Sequence, residues 1–127
     1  MKIKPFPACE NITPIAVPVP GLSNLITVNL YALGKGPITL IDTCLKAPGT
    51  LEYVSSAFQT AGLDIADVER IIITHGHMDH FGLAAAIRRL ARRPIECFTH
   101  AQDQWQISSE NFGKEMWSEE ANALMAM

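Results

Sequence analysis

The sequence predicts an α+β fold in which helices flank a mixed β-sheet. Two strand-like segments joined by a glycine turn indicate an antiparallel hairpin. Two later strand-like segments each follow a helix, which is typical of parallel βαβ units. The 127 residues are 48% hydrophobic and 18% charged, which is sufficient to bury one core. We therefore expect residues 1–127 to form a single domain.

The hairpin strands come early in the chain. Prolines restrict the residues up to Gly21 to extended backbone or short edge strands. Residues 25–33 (LITVNLYAL) are rich in β-branched and aromatic side chains and predict a strand. A turn at residues 34–36 (GKG) leads into a second predicted strand at residues 37–42 (PITLID).

A helix and a buried strand are predicted next. Thr50 can cap a helix whose apolar residues recur at helical spacing, and Gly62 stands where a C′ glycine belongs. Residues 68–75 (VERIIITH) form a short, nearly continuous apolar run, as expected for a strand that is covered on both faces.

The same alternation continues toward the C-terminal residues. Apolar positions 83, 87 and 90 predict a second helix that Pro94 stops, with four solvated arginines near its C-terminal end. Residues 94–98 (PIECF) predict another strand, and Thr99 with Gln102 has capping-box spacing for a third helix. A last amphipathic stretch is predicted over residues 111–127.

Four potential metal ligands lie within six positions after the apolar run: His75, His77, Asp79 and His80. His75 and His77 are two residues apart, and in extended chain such side chains project to the same side. Gly76 between them allows the backbone to turn tightly. Asp79 and His80 open the following helix, where the helix dipole favours a carboxylate. Imidazoles and a carboxylate in this pattern predict a divalent-metal site.

The donor types indicate which ion the site would hold. They suit Zn²⁺, with Fe or Mn as open alternatives. Four donors from so short a loop are more than one tetrahedral ion readily accepts. We therefore expect two neighbouring ions, each with further ligands from elsewhere.

Two segments resemble a known family. THGHMDHFG (residues 74–82) resembles the T-H-x-H-x-D-H-x-G signature of the metallo-β-lactamase-fold hydrolases, and LIDTC (residues 40–44) is similar to the family's L-[IV]-D-T-G element. The order of elements over about residues 12–103 is similar as well. The resemblance implies an αβ/βα sandwich of two packed sheets, of which this chain matches the first half. We therefore expect a truncated chain, completed by a second chain or by a C-terminal half.

The resemblance also implies roles for individual residues. His75 and His77 would bind the first metal, and Asp79 and His80 the second. Asp79 would be the catalytic residue, orienting a bridging hydroxide. Asp42 would hydrogen-bond the ligand loop and preserve its geometry.

The sequence departs from the family pattern in two respects. Cys44 stands where the family usually has glycine, and a positive φ there would strain the backbone. Downstream of His80, no residue matches the remaining family ligands, which are two histidines and a bridging aspartate. His100 matches a family segment that does not ordinarily bind metal, and we interpret it as a structural or rim residue.

Together these patterns favour a metal-dependent hydrolase that acts on a small ester, thioester or lactone through a metal-bound hydroxide. Two alternatives stay open: a non-catalytic half-domain that binds metal weakly, and an iron-dependent sulfur dioxygenase of the same fold. The net charge of −3 gives no attraction to nucleic acid or anionic membrane, and no segment is apolar enough to span a bilayer. With three widely spaced cysteines and no secretion signal, we expect a cytoplasmic protein with a small-molecule substrate and no nucleic-acid or membrane partner.

Overall fold

The computed structural model describes residues 10–19 and 27–107. Within these ranges five strands and four helices follow one another, with a short 3₁₀ turn at Ile65–Asp67. The strands are β1 (Ile12–Pro18), β2 (Thr27–Leu33), β3 (Ile38–Ile41), β4 (Val68–Ile72) and β5 (Glu96–Phe98). The helices are α1 (Thr50–Thr60), α2 (Met78–Phe81), α3 (Ala84–Leu90) and α4 (Gln104–Ile107). None of the helices in these two ranges has the length and apolar composition that crossing a bilayer requires.

The five strands form one sheet in the order β1-β2-β3-β4-β5. The first three strands pair antiparallel, whereas β3 with β4 and β4 with β5 pair parallel. The predicted α+β class with a mixed sheet is therefore confirmed. Because β3 and β4 run in the same direction, the loops that follow them leave the sheet at the same edge.

The core lies between one face of the sheet and the helices. Alternate residues of β2, Val28, Leu30 and Ala32, are buried on this face. They belong to the same apolar cluster as Phe58 of α1 and Ile87 of α3, both fully buried. Burial of a side chain of the size of Phe58 or Leu30 contributes about 1.5–3 kcal/mol.

The opposite face of the sheet carries an exposed apolar row. Tyr31, Ile41, Ile72 and Phe98 are aligned across β2, β3, β4 and β5 by the strand register. Tyr31 is 40%, Ile72 39% and Phe98 47% exposed. The prediction that the strand at residues 68–75 is covered on both faces is therefore wrong for the described part of the chain, because side chains alternate across a strand and this face is half exposed.

Helix α1 begins one residue earlier than the sequence pattern predicts. Gly49 is the N-cap residue with φ 85°, and Thr50 is the first helical residue. The hydroxyl of Thr50 donates to the carbonyl of Ala47 at 2.8 Å and accepts from its N–H at 3.1 Å, so it stabilises the preceding turn. The C-terminal prediction is confirmed, since Gly62 follows the helix with φ 75°.

Two predictions for the later helices are corrected. Leu90 is 45% exposed because α3 ends there, so it does not extend the buried stripe of that helix. Thr99 does not cap a helix: its Oγ1 has no hydrogen-bond partner within the described ranges, and α4 begins only at Gln104. Cys9 and the amphipathic stretch at residues 111–127 lie outside the described residues.

Two of the four arginines form ion pairs beyond the end of α3. Arg92 donates to the carboxylates of Asp64 and Asp67, the former at 2.6 Å, and Arg93 Nη1 lies 3.7 Å from Glu69 Oε1. The backbone N–H of Ala66 and the Arg92 guanidinium lower the pKa of Asp64. These arginines therefore tie the end of α3 to the 3₁₀ turn before β4.

Candidate metal centre

The predicted site lies at the edge of the sheet where β3 and β4 end. Asp42 directly follows β3, and its backbone N–H donates to the carbonyl of Ile72 at 2.9 Å. The next residue, Thr43, donates its N–H to the carbonyl of His80 at 2.7 Å. These bonds hold the loop after β3 against the loop after β4.

The carboxylate of Asp42 is the central polar group of this edge. Its side chain is only 5% exposed, and it accepts three hydrogen bonds. Oδ1 accepts from the N–H of Thr74 at 2.8 Å, and Oδ2 accepts from Thr74 Oγ1 at 2.7 Å and lies 2.8 Å from His80 Nδ1. The desolvation cost of this buried carboxylate is therefore offset by bonds to Thr74 and His80. The predicted role of Asp42 toward a metal stays a prediction.

Three imidazoles gather above the loop. The rings of His75 and His77 have centroids 4.6 Å apart at an interplanar angle of 76°. The rings of His75 and His80 are 4.0 Å apart at 48°. Buried Gly76 separates the first two histidines. The structure therefore brings all three predicted imidazoles into one cluster.

Helix α2 places Asp79 beside His80. The helix follows His77, whose carbonyl accepts from the N–H of His80 at 3.0 Å. Asp79 Oδ2 lies 3.6 Å from His80 Nε2, which is too long for a hydrogen bond. Two donors to one tetrahedral zinc ion at the usual bond lengths lie about 3.4 Å apart. The spacing of Asp79 and His80 therefore fits two ligands that share an ion.

The described residues alone do not complete a metal site. Across residues 10–19 and 27–107, no group of three or more His, Cys, Asp or Glu side chains is arranged to hold a metal ion. A tetrahedral site needs four donors, or three with an open position for substrate. The ligand roles of His75, His77, Asp79 and His80, and the catalytic role of Asp79, stay predictions that call for further donors.

Thr43 anchors helix α2, which carries Asp79 and His80. Its hydroxyl donates to the carbonyl of His80 at 3.1 Å and accepts from the N–H of Leu83 at 3.2 Å. The Thr43 hydroxyl therefore holds the end of α2 and the following Leu83 through one donated and one accepted hydrogen bond.

Gly82 lets this region pack closely against the loop after β3. A Cβ at this position would lie 2.6 Å from the backbone nitrogen of Lys46 and 2.8 Å from the carbonyl oxygen of Met78. No flexible side chain is involved, so the contact can be relieved only by moving backbone. Only glycine fits at this junction.

Cys44 confirms the expected backbone strain. It has φ 87°, where the family usually has glycine, and its side chain is fully buried. An L-residue in this region costs about 1–2 kcal/mol. Burial raises the pKa of its thiol, a hydrogen bond from the backbone of Leu45 opposes that shift, and the Asp79 carboxylate adds to it. Its burial is that of a small apolar side chain packed in the core.

Three residues near the site were not assigned a role from the sequence. Thr43 follows Asp42 in the LIDTC motif, and Thr74 precedes His75 in the THGHMDHFG motif. Their position next to a predicted site residue was the signal that could have identified them. Gln106 of α4 has no such signal. A Cβ at Gly76 would collide with the Gln106 side chain, a contact that only the folded chain reveals. His100, interpreted as structural, accepts from the N–H of Gln102 at 3.2 Å.

Comparison with known proteins identifies the family. Residues 19–111, more than half of the chain, match the sequence model of the metallo-beta-lactamase superfamily. The chain therefore belongs to the metallo-beta-lactamase superfamily, and the predicted resemblance is confirmed.

Solved structures of similar proteins agree with this assignment. A metallo-beta-lactamase family protein from Thermus thermophilus is 26% identical with a TM-score of 0.65, and the match covers 91% of this chain and 41% of that one. A beta-lactamase domain protein from Burkholderia ambifaria is 24% identical with a TM-score of 0.62, over 77% of this chain and 32% of that one. A subclass B3 metallo-beta-lactamase of Bradyrhizobium japonicum is 19% identical with a TM-score of 0.57, over 74% and 31%. The Burkholderia and Bradyrhizobium proteins are similar to this chain in fold alone. This chain spans less than half the length of each of the three proteins.

Proposed function

We propose that this chain carries the first part of the active site of a zinc-dependent hydrolase that cleaves a small ester, thioester or lactone. The observation that supports this most directly is the arrangement of Asp79 and His80, whose donor atoms lie 3.6 Å apart beside two further imidazoles. Superfamily membership supports metal-dependent hydrolysis as the class of reaction.

The described residues suggest a division of labour. His75 and His77 would hold one ion, and Asp79 and His80 the second. When bound, divalent metal polarises the substrate carbonyl and makes hydroxide available near neutral pH. The side chain of Asp79 is 43% exposed, so its second carboxylate oxygen can accept a hydrogen bond from the attacking nucleophile and orient it.

Zinc is the ion that the donor set favours. Three imidazoles and a carboxylate suit a borderline cation. Iron would indicate the sulfur dioxygenase alternative, which uses the same histidines. Metal analysis of the purified chain separates the two.

Residues 10–19 and 27–107 do not supply a complete set of metal donors, which points to a partner segment. We propose that a C-terminal continuation, or a second chain, supplies the remaining ligands and covers the row formed by Tyr31, Ile41, Ile72 and Phe98. Half-exposed apolar side chains on one sheet face are the surface that a second sheet buries. Cys44 and Cys97 are free thiols, which supports a reducing, cytoplasmic setting. The net charge of −3 supports a small-molecule substrate without a nucleic-acid or membrane partner.

A zinc titration combined with a hydrolysis screen tests the proposal. We expect the chain to bind Zn²⁺. Ester, thioester and lactone substrates are then screened for hydrolysis with and without zinc. Turnover that requires zinc and disappears in Asp79→Ala supports the hydrolase. Zinc binding without any turnover, also after a segment with the remaining ligands is supplied, favours the non-catalytic half-domain. A chain that binds no zinc contradicts the proposed function.

A further inference from the structure

We propose that Thr74 is a positioning residue: its hydroxyl relays the negative charge of Asp42 to His75 and fixes the imidazole as the Nδ1–H tautomer. The consequence for metal binding rests on the proposed function, whereas the tautomer itself is a property of the metal-free chain. Thr74 precedes His75 in sequence, and the two side chains meet at 2.9 Å between Oγ1 and Nδ1.

The Thr74 hydroxyl has a single proton to donate. An ionised carboxylate only accepts hydrogen bonds, so the 2.7 Å contact between Thr74 Oγ1 and Asp42 Oδ2 uses that proton. The hydroxyl can then only accept at its second contact. His75 must therefore donate, which requires a proton on Nδ1 and leaves the lone pair on Nε2.

The same carboxylate oxygen orients a second imidazole directly. Asp42 Oδ2 lies 2.8 Å from His80 Nδ1, and this contact also requires a proton on the imidazole nitrogen. Asp42 thus assigns the tautomers of two histidines, His80 by direct contact and His75 through Thr74. Both rings keep the lone pair of Nε2 free to bind a metal, and they lie 4.0 Å apart.

The relay changes what His75 would otherwise do. In water the neutral imidazole of histidine favours the Nε2–H tautomer, which carries its lone pair on the other nitrogen. Hydrogen bonding at one ring nitrogen is what fixes the tautomer, the orientation and the basicity of a metal-binding histidine. Thr74 is exposed, so water competes for the hydrogen bond between its Oγ1 and His75 Nδ1. The direction of that bond is fixed because Asp42 already accepts the hydroxyl proton of Thr74.

Three variants separate the relay from a merely structural role. Thr74→Val keeps the β-branched shape and removes the hydroxyl, whereas Thr74→Ser keeps the hydroxyl. Asp42→Asn reverses the relay, because an amide nitrogen in place of Oδ2 would donate to Thr74 Oγ1 and to His80 Nδ1. Replacing a histidine-orienting aspartate by asparagine can leave geometry intact and still stabilise the wrong tautomer.

The tautomers are read from two-bond ¹⁵N–¹H correlation spectra of the metal-free chain, at a pH where the imidazoles are neutral. The chain has four histidines, so single replacements assign the signals. We expect Nδ1–H at His75 in the wild type and in Thr74→Ser, a shift toward Nε2–H in Thr74→Val, and Nε2–H at both His75 and His80 in Asp42→Asn. A wild-type His75 in the Nε2–H form, or a Thr74→Val spectrum identical to wild type at His75, overturns the proposal.

Calorimetric titration with Zn²⁺ then tests the consequence. We expect Thr74→Val to bind zinc about 10-fold or more weakly than wild type, and Thr74→Ser to restore the affinity. If the tautomer changes while zinc affinity does not, Thr74 has no positioning role toward the metal. If the wild type binds no zinc, the proposed function fails, and the spectra still decide the relay.

Discussion

The carboxylate of Asp42 lies 2.8 Å from the imidazole of His80, although the two residues are 38 positions apart in the chain. The contact exists because β3 and β4 are parallel neighbours, so the residues that follow them meet at one edge of the sheet. The buried carboxylate of Asp42, after β3, thereby holds the imidazole of His80, which follows β4. The geometry of the candidate site thus depends on the pairing of two strands.

Removing this acceptor should weaken metal binding. In Asp42→Ala the N–H of Thr74 and the Nδ1–H of His80 lose their shared partner, so the ligand loop is no longer held against β3. Loss of such a supporting group costs about 10–100-fold in metal affinity. We expect a drop of this size in a Zn²⁺ titration. Glu52→Ala removes an exposed carboxylate from α1 and should leave the affinity unchanged; a matching loss in that variant would point to overall charge as the cause.

The ligand assignment predicts a specific loss of metal with the fold retained. His75→Ala and Asp79→Ala each remove one donor from a partly exposed position outside the core, so circular dichroism and the thermal midpoint should change little. Zinc content measured by elemental analysis should fall. His100→Ala is the matched control, because His100 contacts the N–H of Gln102 beyond β5. Equal zinc content in all three variants would show that the assignment is wrong.

Local patterns in the sequence predicted much of this architecture. The glycine turn and β-rich segments located the hairpin, and Gly62 located the end of α1, because both depend on backbone conformations set by nearby residues. The exposed row across the sheet was not predicted. The apolar run at residues 68–75 predicts a strand but does not reveal whether both faces of that strand are covered by other parts of the described chain.

In the candidate site, too, local sequence predicted some features and others depended on the fold. The spacing of His75, His77, Asp79 and His80 predicted a cluster, and the structure brings their side chains together. Thr74 could not be assigned a role from spacing alone, because its function depends on which atom accepts its single proton. Only the folded arrangement around Asp42 determines that.

Close packing at Gly82 predicts a strong effect of one added methyl group. In Gly82→Ala the new Cβ would meet three backbone atoms within 3.0 Å, although the helical φ of −57° suits alanine. Overpacking of this kind costs about 1–3 kcal/mol. We expect a corresponding loss in the free energy of unfolding measured in urea. The comparison is Gly36→Ala, where nothing lies within 4 Å and a change within about 0.5 kcal/mol is expected. Equal stability of the two variants would contradict the close packing at this junction.

The ion pair between Asp64 and Arg92 predicts a pH-dependent contribution to stability. The N–H of Ala66 and the Arg92 guanidinium lower the pKa of Asp64 in the folded chain, so folding favours its ionised form. The stability that results is fully present above the unfolded pKa of about 3.9 and is lost as the pH falls through the lower folded value. Asp64→Asn keeps an oxygen for the Ala66 N–H and removes the charge. Wild type should therefore exceed Asp64→Asn in free energy of unfolding at neutral pH, and the difference should shrink below about pH 4. Glu10→Gln, at an exposed turn, should show no such trend; a difference for Asp64→Asn that stays constant with pH would mean that the ion pair does not favour the charged carboxylate.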